Sequence, residues 1–137
     1  MVRTRPRRVA AVVTAATLAL GACGADDTAG PDLTPAAADG RSVMRSKGCG
    51  SCHGSNGGGG VGPAFTGLFG ADVPLDDGST VVADRDYLVE SILDPSAKRV
   101  EGYSLPMPRT ELTDDEIDAI ITYIEALATP TTTGVDG

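Results

Sequence analysis

The sequence has no tryptophan, one histidine, three cysteines and only five aromatic side chains in 137 residues. Aromatic residues supply much of the buried area of a small core, so a short chain with 4% aromatics packs thinly unless something else fills its centre. Three cysteines cannot all pair, which excludes a pure disulfide scaffold. A lone histidine excludes any site that takes two imidazoles from this chain. Basic residues are scarce too: 11 Lys and Arg face 19 Asp and Glu, for a net charge of −8. Arg3, Arg5, Arg7 and Arg8 lie in the first 22 residues, which hold no acidic residue. Without that stretch seven basic side chains face 19 acidic ones, hence −12, the wrong sign for binding nucleic acid through its phosphates.

Long hydrophobic runs are missing as well. Val9 to Leu20 is apolar and uncharged but shorter than the roughly 20 residues of a spanning helix. Behind the basic N-terminus it reads as an export signal over residues 1–22. Leu20-Gly21-Ala22-Cys23 resembles a bacterial lipobox, which would put lipid on Cys23 and anchor the exported protein to the outer face of the cytoplasmic membrane. The alternative is an ordinary signal peptide with a cysteine nearby. Arg7-Arg8 lacks the rest of a twin-arginine motif. Residues 23–38, largely Ala, Asp, Thr, Pro and Gly, have the composition of a flexible tether. The folded domain is expected over 39–129, with a disordered tail at 130–137.

What is present is mostly helical signal. Thr113 and Glu116 form a capping box, Leu112 and Ile117 a hydrophobic staple, and Asp114 to Glu116 an acidic first turn. Ile117, Ile120, Ile121, Ile124 and Leu127 then recur at helical spacing before Pro130. A middle helix is expected over Asp86 to Leu93, ended by Asp94-Pro95. A first helix is expected from about Asp39 to Gly48, with Gly40, Val43, Met44 and Lys47 on one face. Asp77-Gly78, between Leu75 and Val81-Val82, predicts a small hairpin.

Cys49-Gly50-Ser51-Cys52-His53 is C-x-x-C-H, the attachment signature of c-type haem. Two thiols three positions apart can add to the two vinyl groups on one haem edge, and the adjacent histidine can then bind the iron. A thioredoxin-like pair would open a helix after a strand, whereas here a helical pattern precedes the motif and Gly54 follows it. A structural zinc site needs four ligands of the Cys/His type, and the domain offers only Cys49, Cys52 and His53. With no second histidine, the sixth iron ligand falls to methionine, lysine, water or nothing. Met1 leaves with the signal, and Met44 sits on the attachment side. Met107 remains, held between Pro106 and Pro108, which remove backbone donors and restrict the loop. The bland alternative for Met107 is a gap-filling core residue.

From Ser42 to Leu127 these residues closely resemble class I c-type cytochromes: a first helix, the C-x-x-C-H motif, a Gly62-Pro63 loop, a middle helix, a Met107-Pro108 loop and a last helix. Val61 to Gly70, Asp77-Gly78-Ser79-Thr80-Val81, Tyr87 to Pro95 and Gly102-Tyr103 resemble, more narrowly, the cytochrome c domain fused to subunit II of haem-copper oxidases. The resemblance implies an all-α fold in which first and last helices cross, with Gly40 and Met44 meeting Tyr123. It implies that the Pro63 carbonyl accepts the His53 ring proton; otherwise Pro63 is only a turn residue. Phe65, Leu68, Phe69, Tyr87 and Leu105 are candidates for the haem wall or for generic core. Tyr103 reaches a propionate or is simply a buried tyrosine with a satisfied hydroxyl. The membrane hairpin and copper domain of subunit II have no counterpart ahead of the motif, so the resemblance carries over the haem module alone.

The function expected is electron transfer by one haem c, with no catalytic residue. The expected partners are a quinol-oxidising complex and a haem-copper oxidase, docking transiently. Arg41, Arg45, Lys47, Lys98 and Arg99 form either a docking patch or ordinary surface balance. A haem-based gas sensor or small haem enzyme with a displaceable Met107, or a dehydrogenase subunit, are the alternatives.

Overall fold

The computed structural model describes residues 32–128. The expected export signal over 1–22, Cys23 and the expected tail at 130–137 lie outside the described residues. Helix α1 spans Pro35–Ser46. Thr34 caps it, accepting from the Ala37 N–H at 3.3 Å, and Pro35 fills the first turn, where an N–H would have no helical partner anyway. The helix therefore begins ahead of the expected Asp39, and the segment from Pro35 to Ala38 is not tether: Ala37 is fully buried. A Thr-Pro-Ala-Ala-Ala run resembles linker in composition, yet it is also a cap followed by strong helix formers.

A single turn, α2 (Gly50–His53), follows directly. Strands β1 (Asp72–Pro74) and β2 (Thr80–Val82) pair antiparallel, with Val73 opposite Val81. In the connecting turn the Asp77 carboxylate accepts from the Ser79 backbone at 2.9 Å and from its hydroxyl at 2.6 Å. Helix α3 spans Arg85–Leu93, capped by the Asp84 side chain on the Tyr87 N–H at 2.8 Å. Helix α4 spans Asp114–Ala128. Its capping box forms in both directions, Thr113 N–H to Glu116 at 3.0 Å and Glu116 N–H to Thr113 at 3.2 Å. All five residues of the predicted apolar stripe are buried, together with Tyr123. Burying six such side chains gives a gross gain on the order of 10 kcal/mol, which the entropy of ordering the chain largely offsets.

The main packing is α1 against α4. Gly40 permits it: a Cβ there would lie 1.9 Å from the Ala119 carbonyl oxygen and 2.9 Å from the Tyr123 Cβ. Met44 and Tyr123 are both fully buried in the same cluster. The hairpin lies against the segment that leads to Met107. Leu75 bridges Val100, and the backbone N–H groups of Asp76 and Glu101 each donate at 2.9 Å, to Arg99 and Pro74 respectively. The architecture is thus helical with one small hairpin, as expected. No helix among the described residues is long and apolar enough to cross a membrane.

Candidate functional site

The attachment segment is built by the way the chain leaves α1. The Cys49 N–H still donates to the Met44 carbonyl at 3.0 Å, and the His53 N–H to the Cys49 carbonyl at 3.0 Å. One tight turn therefore carries both cysteines and the histidine. Neither thiol is in a disulfide, and both are partly buried. Burial pushes the Cys49 thiol above its ordinary range, a backbone hydrogen bond opposes that in part, and Cys52 adds a smaller upward push. Cys49 is therefore a neutral thiol at pH 7.

The loop from Gly54 to Pro63 folds back over this turn. The Gly59 N–H donates to the His53 carbonyl at 2.8 Å and the Gly62 N–H to the Cys52 carbonyl at 3.0 Å. That brings the Pro63 carbonyl 2.7 Å from His53 Nδ1. A carbonyl can only accept, so Nδ1 carries the proton and Nε2 keeps its lone pair. The Phe65 ring stacks on the imidazole, centroids 4.5 Å apart and planes 23° from parallel. Gly62 lies on the same ring: a Cβ would sit 3.1 Å from Cε1 and 3.2 Å from Nδ1. His53 is only 8% exposed. Burial lowers its pKa, with the Pro63 hydrogen bond opposing, so the ring is neutral at pH 7. A neutral, oriented imidazole with one free nitrogen is what an iron ligand requires.

Across from it runs the loop between α3 and α4. Arg109 pins its base to Asp94 at 2.6 Å; hydrogen bonding from Ser96 and then Arg109 lowers the Asp94 carboxyl pKa. Met107 is partly buried between its two prolines. Between Ser104 and Leu112 no backbone–backbone hydrogen bond ties the loop to another described residue.

Cys49, Cys52, His53, Pro63 and Met107 line one cavity of about 430 Å³, within the roughly 300–1,000 Å³ of ordinary cofactor sites. Its walls are mainly apolar. Phe65, Leu68, Tyr87, Tyr103 and Leu105 also line it, whereas Phe69 does not and packs against the hydrophobic cluster instead. A cavity with two free thiols on one turn, a neutral imidazole beside them and a thioether on its lining fits haem c. Among the described residues no group of three or more His, Cys, Asp or Glu side chains converges to hold a metal ion.

Several lining residues escaped sequence reasoning. Ile120 and Ile124 of α4 reach the cavity, although their helical spacing marked them only as core. Ser91 lines it from α3, and its hydroxyl is buried without a hydrogen-bond partner among the described residues; nothing in the local sequence distinguishes it. Lys98 and Arg99 line it too. The basic residues are spoken for. Arg45 donates to the Ser55 carbonyl at 2.8 Å and to Asn56 at 2.6 Å. Lys47 pairs with Glu116 at 2.7 Å and Arg99 with Asp76 at 3.2 Å, while Lys98 pairs with Glu90. Such pairs leave little local positive potential to steer a partner.

A family model described as cytochrome c matches residues 37–128. No curated protein matches the chain.

Proposed function

The chain belongs to the cytochrome c family, and on that premise we propose that it is a membrane-anchored carrier that delivers electrons to a haem-copper oxidase. Its fold is that of class I c-type cytochromes, haem c is held covalently through Cys49 and Cys52, and its role is electron transfer. The oxidase assignment and the lipid on Cys23 are the finer proposals, resting on the subunit II likeness and the Leu20-Gly21-Ala22-Cys23 sequence. Electrons come from a quinol-oxidising complex.

The observation that carries the site is the single cavity shared by Cys49, Cys52, His53 and Met107. His53 would bind the iron of a bound haem through Nε2, because Nδ1 is occupied by Pro63. Met107 would supply a second ligand; methionine–histidine ligation raises the potential of a haem. Bound there, haem supplies an iron that gains and loses one electron. The chain's own residues do the rest: Pro63, Gly62 and Phe65 hold the imidazole, and the apolar walls exclude water. With His53 and Met107 both on the iron, the group would exchange electrons without binding a substrate.

Partners meet the mouth of the cavity. Val61 and Leu105 line it and are 55% and 64% exposed, an apolar rim suited to brief contact. Since the nearby cations are paired within the chain, the dependence of electron delivery on ionic strength should follow the acidic net charge of −12 outside residues 1–22. The assignment is tested on protein exported with its own leader. Intact mass should show one haem plus lipid on Cys23. The reduced protein should be oxidised by a haem-copper oxidase preparation, and failure at every ionic strength overturns that partner. The sparsely bonded Met107 loop favours one second reading, a gas-binding protein. Rapid carbon monoxide binding by unmodified reduced protein would select it.

A further inference from the structure

Met107 lies in a segment, 104–112, that the rest of the protein holds by very little. Pro106 and Pro108 have no N–H to donate, and no other backbone group of the segment bonds to backbone elsewhere among the described residues. None of its residues is buried. Its one polar tie among the described residues is made by a side chain: Arg109, two positions after Met107, donates to the Asp94 carboxylate at 2.6 Å.

The other half of this pair is well anchored. Asp94 closes α3, its N–H donating to the Glu90 carbonyl at 2.7 Å and its carbonyl accepting from the Ala97 N–H at 2.9 Å. The Ser96 hydroxyl donates at 2.9 Å to the same carboxylate oxygen that receives Arg109. Asp94 is thus an aimed acceptor at a helix end, and Arg109 ties the loop to it. Neither residue lines the cavity, so the pair acts on a bound haem only through the loop. An exposed ion pair contributes little to global stability, but the opening of one segment depends on the few contacts which that segment makes.

We propose that Arg109 and Asp94 are positioning residues: their ion pair holds the 104–112 segment closed, keeping Met107 in reach of the iron, and its loss frees the thioether without unfolding the domain. The inference rests on Met107 being an iron ligand. The pair is open to solvent, with Arg109 69% and Asp94 49% exposed, so dissolved salt screens it. Methionine ligation therefore weakens as ionic strength rises. His53, held by a neutral carbonyl at 2.7 Å, has no such dependence.

The test uses the haem-loaded protein and compares Arg109→Gln, Asp94→Asn, the two combined, and Arg109→Lys with wild type. Three quantities are read: the methionine-to-ferric-iron charge-transfer band, the imidazole concentration that displaces methionine from ferric iron, and the melting temperature. Arg109→Gln and Asp94→Asn should each let imidazole compete at about two- to five-fold lower concentration, with the melting temperature unchanged. The combined variant should go no further than either alone, because both remove one interaction. Arg109→Lys, which keeps the charge, should restore part of the loss. In wild type, added salt should lower the imidazole concentration needed, and in Arg109→Gln it should not. Unchanged imidazole competition in Arg109→Gln, additive effects in the combined variant, or the same salt response with and without Arg109 overturns the proposal. Absence of the band in wild type would instead overturn the Met107 ligand itself.

Discussion

Tyr123 and His53 show how differently burial treats two ionisable rings in one small core. His53 is compensated: Pro63 takes its Nδ1 proton and Phe65 covers its face. Tyr123 is fully buried, yet its hydroxyl has no hydrogen-bond partner among the described residues. Burial raises its pKa above the ordinary 10.0, and the charges of Arg41 and Arg45 only partly oppose this. The folded state thus holds the phenol proton more tightly than the unfolded chain does. This contribution is complete below about pH 10 and is lost as pH rises through the raised folded value. Tyr123→Phe should leave the melting temperature at pH 7 unchanged or higher, because an unsatisfied hydroxyl is removed. It should also flatten the alkaline fall in stability above pH 10, as followed by denaturant titration. At the iron, Met107→Ala should abolish the charge-transfer band and open the reduced protein to carbon monoxide, measured by absorbance, while Cys49 and Cys52 keep the haem attached.

Helices α1 and α4 meet through a contact that tolerates no side chain at Gly40. Gly40→Ala would improve helix propensity in isolation, but its Cβ collides with the Ala119 backbone, and backbone cannot swing aside. The variant should lose about 1–3 kcal/mol, the usual cost of overpacking, in chemical denaturation. A second link joins the same helices, Lys47 to Glu116 at 2.7 Å. Hydrogen bonding from Lys47, then from Thr113, holds the Glu116 carboxyl below its ordinary 4.5. Its contribution is therefore present above pH 4.5 and is lost as pH falls through the lower folded value. Glu116→Gln should melt below wild type at pH 7, with the gap closing toward pH 3. These elements were legible because their signals are local: a capping box, a staple and an isoleucine stripe all lie within 16 residues. The start of α1 was not, since Pro35 to Ala38 looks like tether until a buried surface is there to receive Ala37.

Across the whole molecule the two proposed axial ligands are held very unequally. His53 lies in the attachment turn itself, four residues from Cys49, and its loop is laced by backbone hydrogen bonds. Met107 comes from a distant loop with no backbone–backbone bond between Ser104 and Leu112 among the described residues. Segments so sparsely bonded open at lower free energy than the global transition. Rising denaturant should therefore remove the charge-transfer band before helical circular dichroism is lost, and coincidence of the two curves would contradict this. The same contrast explains what of the site the sequence disclosed. Cys49, Cys52 and His53 announce themselves within five residues, and Met107 follows from the shortage of rivals. Ser91, Lys98 and Arg99 reach the cavity only because α3 and its exit loop fold across it. Low aromatic content is explained in the same way, by a cofactor that supplies the missing apolar centre. Helix α4 finally ties these facts to biogenesis. It docks on α1 through Ala119 and Tyr123 and lends Ile120 and Ile124 to the cavity, so pairing the two ends of the domain and enclosing the haem are one event. The thioether bonds must then form on a chain whose last helix has not yet docked, and any change that hastens docking competes with haem loading.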